Sequence, residues 1–336
     1  MVNIGGKHGT KKPIRTRYAS MKNTFNLVIY LIYINLGYLI TGANSHSLKF
    51  LMIGDWGGTD EFPYTTEAEV STARQMELLA EKEHPEFVLA LGDNFYFDGV
   101  KTVNDPRFQD TFENVYSSAA INIPWYLIAG NHDYHGNVSA QIAYTKVSKR
   151  WNFPDLYYLL SFNIPGTSDT IDILMIDTVL LCETDDRTEI DNQWEWIERN
   201  LRNSDAKYLI TAGHHPIYSI GWHGGQECLV DKLLPLLYKY RANGYFCGHD
   251  HSLQHLKTSK DNVPVDFIVS GAACYVDSNT DNKAKVPDNS SKFHYGDEDS
   301  KGGFCFIDAN SDRLKIRFVE ANGDDLYQTT IRPRYL

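Results

Sequence analysis

Positive charge, cysteine and repetition are all scarce in this chain. Its 336 residues hold 32 lysines and arginines against 43 aspartates and glutamates, a net charge of −11. That balance excludes a nucleic-acid binder working through a broad basic surface. It leaves small anionic substrates open, because bound metals reverse a field locally. Five cysteines, Cys182, Cys228, Cys247, Cys274 and Cys305, are too few for a disulfide scaffold and suit an exported protein with one bridge. After residue 46 there is no internal repeat and no low-complexity linker, which points to a single domain over 46–336. No serine or cysteine nucleophile motif is present, so nothing marks out a protein nucleophile.

The first 45 residues stand apart. Lys7, Lys11, Lys12, Arg15, Arg17 and Lys22 precede an apolar stretch from Phe25 to Ile40, followed by Thr41-Gly42-Ala43. Basic, apolar and small-residue segments in that order make a secretory signal, with cleavage after Ala43. Initiation at Met21 would give the signal ordinary proportions. The competing reading is an uncleaved anchor, but the run is short for a span and contains Asn26 and Asn35. Export gives meaning to the glycosylation triplets Asn137-Val138-Ser139 and Asn289-Ser290-Ser291. The expected destination is secretion or the lysosome, with no stable membrane association once the signal is gone.

Apolar runs at Leu48 to Ile53, Phe87 to Leu91, Trp125 to Ala129, Ile171 to Ile176, Tyr208 to Ala212 and Tyr245 to Cys247 read as strands. Polar segments of helical period lie between them, at Glu67 to Lys82, Ser139 to Arg150, Thr188 to Arg202 and Cys228 to Tyr240. The alternation predicts an α/β fold. Beyond residue 264 closely spaced strands follow, at Val265 to Val269, Gly303 to Asp308, Arg313 to Val319 and Leu326 to Ile331. A second, partly antiparallel sheet would accommodate these. The expected architecture is two packed mixed sheets flanked by helices, with a metal site along one edge.

Five motifs carry the chemistry: Gly54-Asp55-Trp56-Gly57, Gly92-Asp93-Asn94-Phe95-Tyr96, Gly130-Asn131-His132-Asp133, Gly213-His214-His215-Pro216 and Gly248-His249-Asp250-His251. Singly, each is a turn or a helix cap. Together they set carboxylates, a tyrosine, an amide and histidines at strand ends, where α/β sheets place their sites. Asp93 can bridge two metals about 4 Å apart. Hard oxygen donors with a phenolate suit a trivalent ion such as iron(III), and imidazole nitrogens suit a divalent one. His249 and His251, two residues apart, would point the same way in an extended segment, about 6.5 Å along the chain.

These motifs resemble the metallophosphoesterase superfamily. Gly-Asp-Asn-Phe-Tyr points to purple acid phosphatases, most closely the small mammalian-type tartrate-resistant group. The similarity runs from about Leu48 to near the C-terminus and includes Phe293-His294-Tyr295-Gly296 and Gly302-Gly303-Phe304. The resemblance implies an acid phosphatase acting on small phosphate monoesters or phosphoproteins. Its centre would hold Fe(III) plus Fe(II) or Zn(II), and a water or hydroxide on the metals would attack phosphorus. Asp55, Tyr96 and His251 would bind iron(III), Asn131, His214 and His249 the divalent ion, and Asp93 both. His132 and His223 match the family's two substrate-contacting histidines, and Cys182 and Cys228 match its disulfide pair. His215 departs from close relatives, where a tyrosine usually stands, and carries no assigned catalytic role. The segment Glu183 to Asn192 is shorter than the protease-sensitive loop of mammalian members, which counts against activation by proteolysis. The chain is expected to be monomeric. Alternative readings are an iron-binding or transport glycoprotein with residual activity, or a phosphodiesterase of the same superfamily. Tyr96 counts against the diesterase, whose sites usually lack a tyrosine ligand.

Overall fold

In the computed structural model, which describes residues 47–335 except 298, the chain forms fourteen strands and six α-helices. The first half contains β1 (Leu48–Ile53), α1 (Glu67–Glu83), β2 (Phe87–Ala90), β3 (Trp125–Leu127), α2 (Asn131–His135), α3 (Val138–Tyr144), β4 (Trp151–Asn152), β5 (Tyr158–Asn163) and β6 (Thr170–Met175). The second half continues with α4 (Thr178–Glu183), α5 (Arg187–Asn203), β7 (Tyr208–Ala212), α6 (Glu227–Lys239), β8 (Gly244–Cys247), β9 (Leu253–Lys260) and β10 (Val263–Ser270). It closes with β11 (Ser291–Tyr295), β12 (Gly303–Ala309), β13 (Leu314–Glu320) and β14 (Asp325–Ile331).

These strands make two seven-stranded sheets, ordered β14-β13-β12-β1-β2-β3-β4 and β11-β9-β10-β8-β7-β6-β5. The fold is thus mixed α/β with two mixed sheets packed together. Alternation along each strand builds the layers. Phe50 and Met52 of β1 join Ile210 of β7, Phe246 of β8 and Ile268 of β10 in the core between the sheets. Leu51 and Ile53 face the other way, toward Ala73, Met76 and Ala80 of α1. On the second sheet, Leu209 and Tyr245 meet Ile197 of α5 and Leu233 of α6. Central strands are therefore apolar on both faces, as parallel strands covered by helices must be.

Local signals explain the helix ends. Thr66 Oγ1 accepts from Glu69 N–H at 3.1 Å while Glu69 Oε2 accepts from Thr66 N–H at 3.3 Å, a reciprocal cap on α1. Asp186 accepts from Glu189 N–H at the start of α5. The expected helix over Ser139 to Arg150 is shorter, ending at Tyr144. Arg150 leaves the helical path to donate to Tyr116 O and to pair with Glu113.

The late strands do not gather in a sheet of their own. β10 lies beside β8 in the second sheet, whereas β12, β13 and β14 extend the first, with β12 antiparallel to β1. Strands β5, β9 and β11 have no counterpart in the apolar-run reading, because exposed or polar residues interrupt them, such as Ser161, Lys257 and His294. The leader and its cleavage point lie outside the described residues. Among the described residues no helix is long and apolar enough to cross a membrane.

A disulfide joins Cys182, at the end of α4, to Cys228, at the start of α6, across 46 residues of sequence. Cys247, Cys274 and Cys305 are free and buried. Asn137 and Asn289 are both exposed. Because the bridge restricts a loop of that length in the unfolded chain, replacing both cysteines by serine should cost about 2–4 kcal/mol. Denaturant unfolding of the double variant against the oxidised parent measures the loss.

Candidate metal centre

All five motifs fall at the same ends of parallel strands. Asp55 follows β1, Asp93 follows β2, Asn131 follows β3, His214 follows β7, and His249 and His251 follow β8. β1, β2 and β3 are mutually parallel, as are β7 and β8, so each sheet delivers its residues to one end. Small residues let the loops meet. A Cβ on Gly130 would sit 2.2 Å from Asp93 Oδ1, and one on Gly92, whose φ is +92°, would sit 2.6 Å from His214 Nδ1. Asp55, Asp93 and His249 themselves have φ of 56°, 50° and 70°. Left-handed backbone at three non-glycine residues is strain that the surrounding fold must sustain, and such strain concentrates at functional sites.

Two groups of side chains result. In the first, ligand atoms of Asp93, His214 and His249 all lie within 4.8 Å of one another. His214 Nε2 is 3.0 Å from Asn131 Oδ1, 3.2 Å from His249 Nδ1 and 3.5 Å from Asp93 Oδ2. In the second, the Tyr96 hydroxyl is 3.0 Å from both Asp55 Oδ1 and His251 Nε2. The groups are tied together because His249 N–H donates to Asp55 Oδ2 at 2.7 Å. His249 and His251 do not sit in an extended segment. His249 is left-handed and Asp250 N–H turns back to Gly248 O, so the two rings serve different groups through a bend rather than along a strand.

The donor set fits cations. Asp55 and Asp93 are buried, and among the described residues their ion-pair partners are histidines, not lysine or arginine. His214 Nδ1 faces the Leu91 carbonyl at 2.8 Å and donates to it, which leaves Nε2 to the crowded side. There it meets an amide oxygen and a second imidazole nitrogen. Acceptors so close need a proton or a cation between them. Against the effect of burial, the Asp93 and Asp55 carboxylates push His214 up to about 10. Burial raises Asp55 well above the usual carboxylate range, while at Asp93 the pull of His214 overcomes burial and holds the group low. Burial, then the charges of Asp55 and Asp93, hold the Tyr96 phenol protonated.

The two histidines expected to touch substrate flank this centre. The His132 ring lies 4.7 Å from the Tyr96 ring, with Nδ1 2.8 Å from Phe97 O, and its N–H donates to Asp93 Oδ1 at 3.0 Å. The His223 ring lies 4.2 Å from that of His249 and 6.1 Å from that of His251. His215 is buried behind them, its Nδ1 3.0 Å from Thr178 Oγ1 and its Nε2 3.0 Å from Glu183 Oε1, with its ring 4.5 Å from His249.

Three supporting residues carried no role in the sequence reading. Asp133 accepts from Gly130 N–H, Asn94 N–H and Gln141 Nε2, so one buried carboxylate binds the second motif to the third. Burial and the nearby charge of Asp93 push Asp133 up to about 6. Asn94 takes Trp56 Nε1–H at 3.1 Å and donates to Ile128 O and Gln141 Oε1. Asp250 accepts from His223 N–H at 2.8 Å and Gly224 N–H at 3.3 Å. All three stand inside the motifs, so position was a signal, but their burial and partners are properties of the fold.

The calcineurin-like phosphoesterase family profile matches residues 48–253. The chain is 44% identical to tartrate-resistant acid phosphatase type 5 of Rattus norvegicus over 87% of its length and 93% of that protein. It is 31% identical to purple acid phosphatase 4 of Arabidopsis thaliana over 84% of its length and 83% of that protein. The solved structure of GAP50, the anchor in the inner membrane complex of Plasmodium, superposes with a TM-score of 0.75 at 24% identity, over 86% of this chain and 90% of that one, and shows the fold alone. The chain belongs to the purple acid phosphatases, within the calcineurin-like phosphoesterases. It is a hydrolase that acts on phosphate esters, and the family implies a dinuclear metal centre.

Asp133 offers a test of how the loops hold this centre. Asp133→Ala strands three buried donors and frees the second motif from the third. Cation affinity, measured by competition with a chelator, should fall about 10–100-fold, the usual effect of losing a group that orients metal ligands.

Proposed function

We propose that the chain hydrolyses phosphate monoesters in acidic solution, with iron(III) held by Asp55, Tyr96 and His251 and iron(II) or zinc held by Asn131, His214 and His249. Asp93, grouped with His214 and His249, would be shared by both ions. The observation that carries this reading is the gathering of five of these side chains around the other two, buried carboxylates whose ion-pair partners among the described residues are histidines rather than lysine or arginine. Tyr96 favours a trivalent ion. A phenol that burial and neighbouring carboxylates keep protonated is a ligand only to a cation strong enough to displace its proton. Bound there, the ions would supply Lewis-acid chemistry, drawing charge from the phosphoryl oxygens and acidifying a water.

The protein's own groups complete the reaction. His132 Nδ1 faces the Phe97 carbonyl, so Nε2 is left for substrate. His223 is held through its backbone by Asp250, and its ring is exposed beside His249. A histidine carries positive charge in acidic solution. Both can bind a phosphoryl oxygen there, and one can protonate the departing ester oxygen. Residues 46–336 act as one catalytic domain, and 1–45 are a leader lost on export. Secretion or lysosomal delivery, glycans on Asn137 and Asn289, and a monomeric state follow from this reading. Small phosphate monoesters or phosphoproteins are its substrates. The phosphodiesterase reading is disfavoured by Tyr96, and a purely iron-carrying role by the presence of His132 and His223 beside the donor groups.

Two measurements test the proposal. Purified oxidised protein should be purple, from charge transfer between Tyr96 and iron(III), and Tyr96→Phe should remove the band while much metal stays bound. A colourless protein with full metal occupancy would sink the iron assignment. His223→Ala should slow an alkyl phosphate by about 10²–10⁴-fold, the usual worth of general-acid help, and a nitrophenyl phosphate far less, since nitrophenolate leaves nearly unaided. Equal slowing of both would make His223 a phosphate-positioning residue instead.

A further inference from the structure

A buried guanidinium is costly unless its charge and its donors are used. Arg107, 6% exposed, stands outside the five motifs and outside both donor groups. It spends its donors on main-chain carbonyls: Nη2 donates to Gly57 O at 2.6 Å and Nη1 to Gly99 O at 3.5 Å. The carboxylates of Asp105, Glu69, Asp133 and Asp60 offset part of its charge, and Cζ lies 5.4 Å from the centre of the Phe95 ring.

Gly57 O is where the first two motifs touch. The same carbonyl accepts the Tyr96 N–H at 3.0 Å. A Cβ on Gly57 would sit 2.4 Å from Phe95 N and 2.6 Å from Asn94 C, so the two loops meet backbone to backbone there. Gly57 comes two residues after Asp55, whose Oδ1 accepts the Tyr96 hydroxyl at 3.0 Å. Tyr96 is thus tied to the first loop at both ends, by its N–H and by its O–H. Arg107 fastens the main-chain tie. It also holds the far side of the same turn, because Gly99, whose carbonyl it meets, donates its own N–H to Phe95 O at 3.1 Å.

We infer that Arg107 is a positioning residue for the tyrosine ligand. By holding Gly57 O it sets the main chain of Tyr96, and with it the place of the phenol oxygen beside the Asp55 carboxylate. This rests on the proposed iron(III) site. Arg107 acts through Tyr96 alone. Lysine is an incomplete substitute, because a single ammonium lacks the fixed fork that reaches both glycine carbonyls.

The oxidised, iron-loaded protein tests this through its visible band and its hold on iron. Arg107→Met should weaken iron(III) retention against a chelator about 10–100-fold, the usual cost of losing a group that orients a ligand. The band of the iron still bound should shift or lose intensity, and Arg107→Lys should restore part of both. In a Tyr96→Phe background Arg107→Met should leave iron affinity within about twofold, since the group it positions is gone. A merely structural arginine would lower the melting temperature, leave the band in place, and cost as much iron affinity with Phe at position 96 as with Tyr. Either of the last two results overturns the inference. If Arg107→Met does not fold, Arg107→Lys decides, and a parental band with parental iron retention overturns it. If the parent protein binds iron without colour, the tyrosine site itself falls and the role of Arg107 with it. If the parent is purple and the Arg107 variants match it, only the positioning role falls.

Discussion

Two carboxylates, Asp55 and Asp93, are buried with no lysine or arginine paired to them among the described residues, and the centre is organised around that fact. An isolated buried carboxylate is among the most costly groups a protein can hold. Here backbone N–H groups of His132 and His249 donate to the two carboxylates, and His214, His251 and Tyr96 stand close by. The two carboxylates also push His214 up against the effect of burial. The left-handed turns at Asp55, Asp93 and His249 keep these donors crowded instead of letting them relax apart.

That crowding is held in place by further partners behind it. Leu91 O orients His214, Thr178 and Glu183 fix His215 against His249, and Asp133 joins the loops after β2 and β3. The aromatic packing of Trp56 against Phe112, Tyr116, Trp125 and Trp151 anchors the first loop from below. A site that holds its donors in fixed positions needs such supporting contacts as much as the donors themselves.

The sequence made the donors visible and hid their surroundings. Asp93 and His214 could be read because a glycine and an apolar strand precede each one, a local pattern. The layered α/β architecture was legible for the same reason, from runs such as Val88 to Leu91 and Leu209 to Ala212. Pairings between distant segments were not. Nothing local says that β12 lies against β1 rather than β10, because register and partner choice are decided by which faces must be covered. The bend at His249 was misjudged too, since period-two reasoning assumes an extended chain, and Asp55 captures the His249 N–H from the other sheet. Asp133 escaped for a related reason: a buried aspartate and a turn aspartate look alike until their partners are known.

The pairing of β1 has a temporal side. Its two neighbours are β2, which begins at Phe87, and β12, which begins at Gly303, so the first strand cannot be flanked until nearly the whole chain exists. Asp55 and His249, whose contact ties the two donor groups together, are separated by 194 positions. Folds dominated by such distant pairings form slowly, because the loops must close before any contact rewards them. Assembly of the centre therefore depends on closing loops of this length.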